Sequence, residues 1–108
     1  MTRILVLFNL KTGVTREMYE RWARETDLPT VRGLSSVERF DAYRICGVLG
    51  SDATSPYQYA EVIDVSDMNR FGAEVASERM RAIAARFGEL AEACFLLTEP
   101  VAQPERAP

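Results

Sequence analysis

From Arg3 to Leu10 apolar side chains fill both registers of a two-residue period, with Ile4, Val6, Phe8 and Leu10 on one side and Leu5, Leu7 and Asn9 on the other. That spacing predicts a strand with two apolar faces. One small domain supplies a single layer of helices, so the second face is expected to meet another subunit. Beyond Lys11-Thr12-Gly13 the period lengthens: Met18, Trp22 and Thr26 beside Tyr19 and Ala23 predict a helix over Arg16 to Thr26, with Thr15 as N-cap and Val14 stapled against Tyr19. Leu28, before Pro29, is pushed toward extended backbone, which predicts the helix end there.

A second strand is expected from Val37 to about Leu49, with Val37, Arg39, Asp41, Tyr43 and Ile45 on one face and Phe40, Ala42, Arg44 and Cys46 on the other. Gly47, Gly50 and the run Ser51 to Pro56 read as a hairpin-like loop. A third strand, Tyr57 to Val65, aligns Tyr57, Tyr59, Glu61 and Ile63 on one face. A long second helix is expected from Asp67 to about Ala91 with Ser66 as N-cap, its stripe of Met68, Phe71, Val75, Met80, Ile83, Ala84, Phe87 and Leu90 read as core. Cys94 to Thr98 gives the last strand.

The order β-α-β-β-α-β fits an α+β, ferredoxin-like domain over residues 1–99: a four-stranded antiparallel sheet with two helices on one face, pairing through the other face into a dimeric α/β barrel. Residues 100–108, rich in proline, are expected to form a loose tail. The 108 residues suit one domain, and subunit pairing is the natural way for it to bury more surface. A net charge of −3, with basic residues scattered among acidic ones, argues against nucleic acid and anionic membrane as partners. No segment reads as a signal peptide or membrane span. Cys46 and Cys94 form no CxxC pair and are expected as reduced core thiols of a cytoplasmic protein.

The chain contains no histidine, so acid–base chemistry near neutrality falls to carboxylates, tyrosines or cysteines. It also lacks a phosphate loop, a dinucleotide glycine fingerprint, a nucleophile elbow and a metal-ligand cluster, so the expected site is a pocket without cofactor or metal. Asp27 is the first candidate: it ends the i, i+4, i+8 row Tyr19-Ala23-Asp27 and so continues a half-buried row rather than the outer face of Glu17, Glu20, Arg21 and Arg24. A carboxylate at the negative end of a helix is also disfavoured by about 0.3–1 kcal/mol, and such a field, with some burial, raises its proton affinity. The plain alternative is a solvated residue leaving the helix. Glu61, in the middle of an aromatic strand, is the second catalytic candidate, or else faces solvent or pairs with a cation such as Arg39 or Arg44. Asn9, Trp22, Tyr43 and Tyr59 are the candidate substrate-binding residues; their structural alternatives are turn capping for Asn9, core for Trp22 and cross-strand packing for the tyrosines.

The segments Ile4 to Lys11, Tyr19-Glu20-Arg21-Trp22-Ala23 with Thr26-Asp27-Leu28-Pro29, Ser36-Val37 with Phe40 and Tyr43-Arg44, and Glu61 to Val65 resemble the RedY-like (HapK) family, and the resemblance runs to Glu99. More distantly, the element order is similar to the EthD and antibiotic-monooxygenase group of dimeric α/β barrels. The resemblance implies bacterial secondary metabolism of pyrrole- or indole-type compounds and cyclase or dehydratase-like catalysis without a cofactor. Many EthD-like sequences carry a histidine before a proline near the end of helix one. Here Thr26 and Asp27 stand in that region, which puts a histidine-dependent mechanism in doubt and makes Asp27 the replacement if the position is used. The expected function is therefore carboxylate acid–base catalysis on a small aromatic intermediate by a homodimer. A cofactor-independent monooxygenase and a non-catalytic binding or protecting protein are the alternatives, separable by dioxygen uptake and by stoichiometric binding without product.

Overall fold

In the computed structural model, which describes residues 1–102, the alternation of the first strand sorts its side chains cleanly. Ile4, Val6 and Phe8 of β1 (Thr2–Leu10) are buried under the helices, while Leu5 and Leu7 point to the opposite side. After β1 come α1 (Arg16–Trp22), a π-helical turn (Ala23–Asp27), α2 (Leu28–Arg32), β2 (Val37–Arg44), β3 (Tyr59–Val65), α3 (Met68–Val75), α4 (Glu78–Leu90) and β4 (Ala91–Thr98). The four strands form one antiparallel sheet in the order β2-β3-β1-β4, the ferredoxin-like arrangement. Among the described residues no helix is long and apolar enough to cross a membrane.

The first helical region departs from expectation in a way that matters for the site. It does not end at Leu28: α1 widens into the π-helical turn and the chain stays helical through Pro29 to Arg32. A proline lacks the amide that a continuing α-helix needs, and its ring crowds the carbonyl four residues back. The wider turn, in which the Leu28 amide donates to the Ala23 carbonyl five residues back, lets a second helix begin with Pro29 in its first turn. Thr15 caps α1 as expected, its hydroxyl accepting from the Met18 amide at 3.2 Å.

The second helix is two helices. Ser77 caps α4 through the Met80 amide, and the cap of α3 is Asp67, which accepts from Asn69 and Arg70, rather than Ser66. α4 stops at Leu90 because Ala91 already pairs with Leu10, so β4 begins three residues before the expected Cys94. β2 ends at Arg44, short of Leu49, and its register slips between Val37 and Arg39. This bulge turns both Val37 and Phe40 into the core, although simple alternation sets them on opposite faces.

Phe8 lies at the centre of the core, with ring centroids 5.2 Å from Tyr19, 5.2 Å from Tyr59 and 5.0 Å from Phe87. On the opposite sheet face, cross-strand pairing sets Asp41, Val62, Leu5 and Leu96 in one row and Tyr43, Ala60, Leu7 and Cys94 in the next. Both cysteines are exposed, contrary to the core reading. Cys94 sits in that outer row, and Cys46 lies beyond the end of β2. Of the tail expected over 100–108, residues 103–108 lie outside the described part of the chain.

Candidate functional site: two buried carboxyls in an apolar cavity

The row Tyr19, Ala23, Asp27 runs down the inner side of the first helical region, and all three residues are buried. Asp27, at the end of the π-helical turn, is 5 % exposed and borders a cavity of about 540 Å³ between the helices and the sheet. Glu61, 3 % exposed, reaches the same cavity from the middle of β3 because period-two alternation sets it between Tyr59 and Ile63 on the helix-facing side. The rest of the wall is apolar: Phe40 and Ile63 from the sheet, Phe71 and Val75 from α3, Met80, Ile83 and Phe87 from α4, and Phe95 from β4.

Neither carboxyl has a cationic partner among the described residues. Arg44 is held by Glu20 at 2.8 Å, and Arg39 by Asp41 at 2.6 Å and the Tyr43 hydroxyl at 2.9 Å. Glu61 therefore does not make the ion pair that its surroundings in sequence suggested; it accepts the Tyr19 hydroxyl at 3.2 Å. Burial raises the Asp27 pKa to about 6. Burial again, and then the negative field of Asp27, raise Glu61 to about 8, against a smaller opposing pull from the Tyr19 hydrogen bond. Near neutrality one carboxyl is thus ionised and the other protonated, the division of labour that acid–base pairs use. The cause at Asp27 is desolvation and not the end of a helix, since the chain remains helical beyond it.

The other candidates are placed elsewhere. Asn9 ties down the loop before β3, donating to the Pro56 carbonyl and accepting from the Gln58 amide, each at 2.9 Å. Tyr59 is buried beside Phe8 and donates to Glu20 at 2.6 Å. Tyr43 is exposed on the outer sheet face. Trp22 stacks on Phe87 at 6.3 Å, one layer behind the cavity wall. Of the six candidates, the structure brings only Asp27 and Glu61 together on this cavity. Sequence reasoning missed Tyr19, the hydrogen-bond partner of Glu61, although its place one turn above Ala23 in the row leading to Asp27 was the available signal. It also read the stripe of α3 and α4 purely as core, whereas much of it is cavity wall. No group of three or more metal-ligating side chains occurs among the described residues.

The model of the REDY-like protein HapK family matches residues 2–101. The chain belongs to this family. HapK from Hahella chejuensis, known as a crystal structure, is 28% identical over 100% of both chains, with a TM-score of 0.77. The hydroxynitrile lyase of Passiflora edulis is similar in fold, with a TM-score of 0.73 at 13% identity, covering 95% of this HapK-family chain and 96% of its own. A dimeric ferredoxin-like protein of Thermobifida fusca gives a TM-score of 0.64 at 22% identity over 90% of this chain and 88% of that one. No curated protein matches the sequence.

Proposed function

We propose that this chain is a cofactor-independent cyclase or dehydratase-like enzyme acting by carboxylate acid–base catalysis on a flat pyrrole- or indole-type intermediate of bacterial secondary metabolism. The observation that carries the reading is the pairing of Asp27 and Glu61, with proton affinities on either side of neutrality, in a cavity whose other side chains are apolar. In a dehydration, the Asp27 carboxylate takes a proton from carbon while Glu61 gives its proton to the departing hydroxyl, which leaves as water. Proton exchange with solvent then restores both groups. The aromatic wall of Phe40, Phe71, Phe87 and Phe95 holds the ring system. A hydroxynitrile lyase among the fold relatives supports the capacity of this architecture to host lyase chemistry.

The enzyme acts in the cytoplasm as a homodimer. The half-covered apolar rows of the outer sheet face support the pairing, as does the description of the Thermobifida fusca relative as dimeric.

The test is turnover of indolyl and pyrrolyl carbinols followed by absorbance. Asp27→Asn and Glu61→Gln are each expected to lower kcat by about 10²–10⁴-fold, the usual worth of a positioned acid or base. The wild-type pH profile should be a bell with limbs near 6 and 8. Undiminished turnover in both variants overturns the reading. Dioxygen uptake coupled to product would point to the oxygenase instead, and saturable binding without product to a carrier.

A further inference from the structure

The side chains that border the cavity offer acceptors and almost no donors. Besides Asp27 and Glu61 the lining comprises only aliphatic and aromatic side chains, with no lysine, arginine, amide or hydroxyl among the described residues. The one nearby hydroxyl, that of Tyr19, is committed to Glu61. The arginines of α2 and β2 are committed elsewhere: Arg44 to Glu20, Arg39 to Asp41, and Arg32 to the Phe40 carbonyl and Asp41. Asp27 is 95 % buried, borders the cavity, and has no hydrogen-bond or ion-pair partner among the described residues. A buried carboxylate without a partner is costly, and a ligand that supplies the missing positive charge or N–H relieves that cost on binding.

We infer that the cavity selects flat heteroaromatic ligands bearing delocalised positive charge or N–H donors beside the ring, and rejects ligands bearing a carboxylate or phosphate. The inference rests on the cavity being the substrate site, and it adds the charge class of the substrate. The aromatic wall of Phe40, Phe71, Phe87 and Phe95 adds a small contribution of the same sign, because aromatic rings attract a cation over their faces and offer an anion no compensating charge. An anionic ligand would enter with no cation to meet it and with the Asp27 carboxylate already in place. The substrate of this site is therefore delivered by a reaction that leaves a neutral or cationic nitrogen heteroaromatic, such as an imine-forming condensation or a decarboxylation, and not by one that installs an acid.

The experiment uses the whole chain and three probes of matched shape, 2-naphthylmethylammonium, 2-naphthylmethanol and 2-naphthoate, titrated calorimetrically near neutral pH. The ammonium is expected to bind about tenfold or more tightly than the alcohol, and the carboxylate about tenfold or more weakly than the alcohol. In Asp27→Asn the ammonium and alcohol should come within about twofold of each other, since the residual preference from ring faces alone is small. Equal or tighter binding of the naphthoate, failure of all three probes to bind, or an ammonium preference that survives Asp27→Asn overturns the inference. Because the readout is binding, it fails separately from the catalytic reading. Charge selection without turnover removes catalysis alone, and turnover of an anionic substrate removes charge selection alone.

Discussion

Asp27 and Glu61 are shifted in the opposite sense from Glu20, Asp41, Asp64 and Glu74, and this gives the residue scale its own measurement. Glu20, beside Arg44 and the Tyr59 hydroxyl, is lowered to about 2, and Asp64 is lowered by its 2.7 Å contact with Arg3. Their contribution to stability is present above the unfolded pKa and is lost as pH falls through the lowered folded value, so they destabilise the fold only below about pH 4. Asp27 and Glu61 have raised folded values, so the contribution of each is full below its unfolded pKa and is lost as pH rises through about 6 and about 8 respectively. Stability to urea should thus peak near pH 4–5 and decline toward pH 8. A rise from 3.8 to about 6 at Asp27 corresponds to about 3 kcal/mol. Asp27→Asn, which cannot ionise, should recover much of that loss at pH 8, and an unfolding midpoint below wild type there would contradict the buried, unpaired state. Sequence led to Asp27 through the field of a helix end and through its place at the foot of the half-buried row Tyr19-Ala23-Asp27; the helix end is not the operative cause, whereas burial is, to a depth set by a cavity that one-dimensional spacing does not reveal. Glu61 was legible for a sounder reason, since alternation in β3 alone places it on the face of Tyr59 and Ile63. Glu20, on a different side of α1 from the row Tyr19-Ala23-Asp27, is half-buried because Arg44 and Tyr59 converge on it across the fold.

At the scale of elements, the π-helical turn sets where Asp27 points. Pro29 forbids a regular α-helical hydrogen bond to the preceding turn, and the extra residue in the wider turn keeps Ala23 and Asp27 on the buried side while α2 continues to Arg32. Pro29→Ala restores an amide and allows the region to relax toward a continuous α-helix, in which residues after the bulge rotate by about 100° per residue removed. The expected outcome is unchanged far-UV helicity with turnover or probe affinity reduced about tenfold, as Asp27 is displaced from the cavity. Full function in Pro29→Ala would show that the turn is held by packing instead, for example by the anchoring of Arg32 on the Phe40 carbonyl at 2.8 Å. The continuation was not legible because a residue before proline usually leaves the helical region, and the rule is silent when a proline starts the next helix. The break between α3 and α4 was hidden for a related reason. An apolar stripe keeps its period across a short interruption, and only the caps Asp67 and Ser77 mark it.

At the scale of the whole molecule, element order was enough to predict the sheet, because short connections and right-handed crossovers leave few topologies for β-α-β-β-α-β. Cavity against core was beyond it: Phe71, Val75, Met80, Ile83 and Phe87 are shielded from bulk solvent either way, and periodicity registers only the shielding. The two-faced character of β1 carries the remaining prediction. Its inner side is covered by helices, but Leu5 and Leu7 on the outer side adjoin Val62, Leu96 and Cys94 with no layer above them in the single chain. Leu96 is 39% exposed and Tyr43 46%. A stable dimer buries about 800 Å² per partner, and its centre is intolerant of an unpaired charge, which costs several kcal/mol. Leu7→Glu places that charge in the middle of the sheet, opposite Ala60 and Cys94. Sedimentation of the wild type should give twice the chain mass of 12.2 kDa, and Leu7→Glu should weaken association by about 10²-fold or more and sediment as the single chain. Leu49→Glu, on a fully exposed loop position, is the matched control and should leave the mass unchanged. A monomeric wild type at micromolar concentration would refute the pairing. Because the carboxyl pair lies on the helix side of the sheet, a monomeric Leu7→Glu chain should keep the Asp27-dependent probe preference, so that assembly and site chemistry are tested apart.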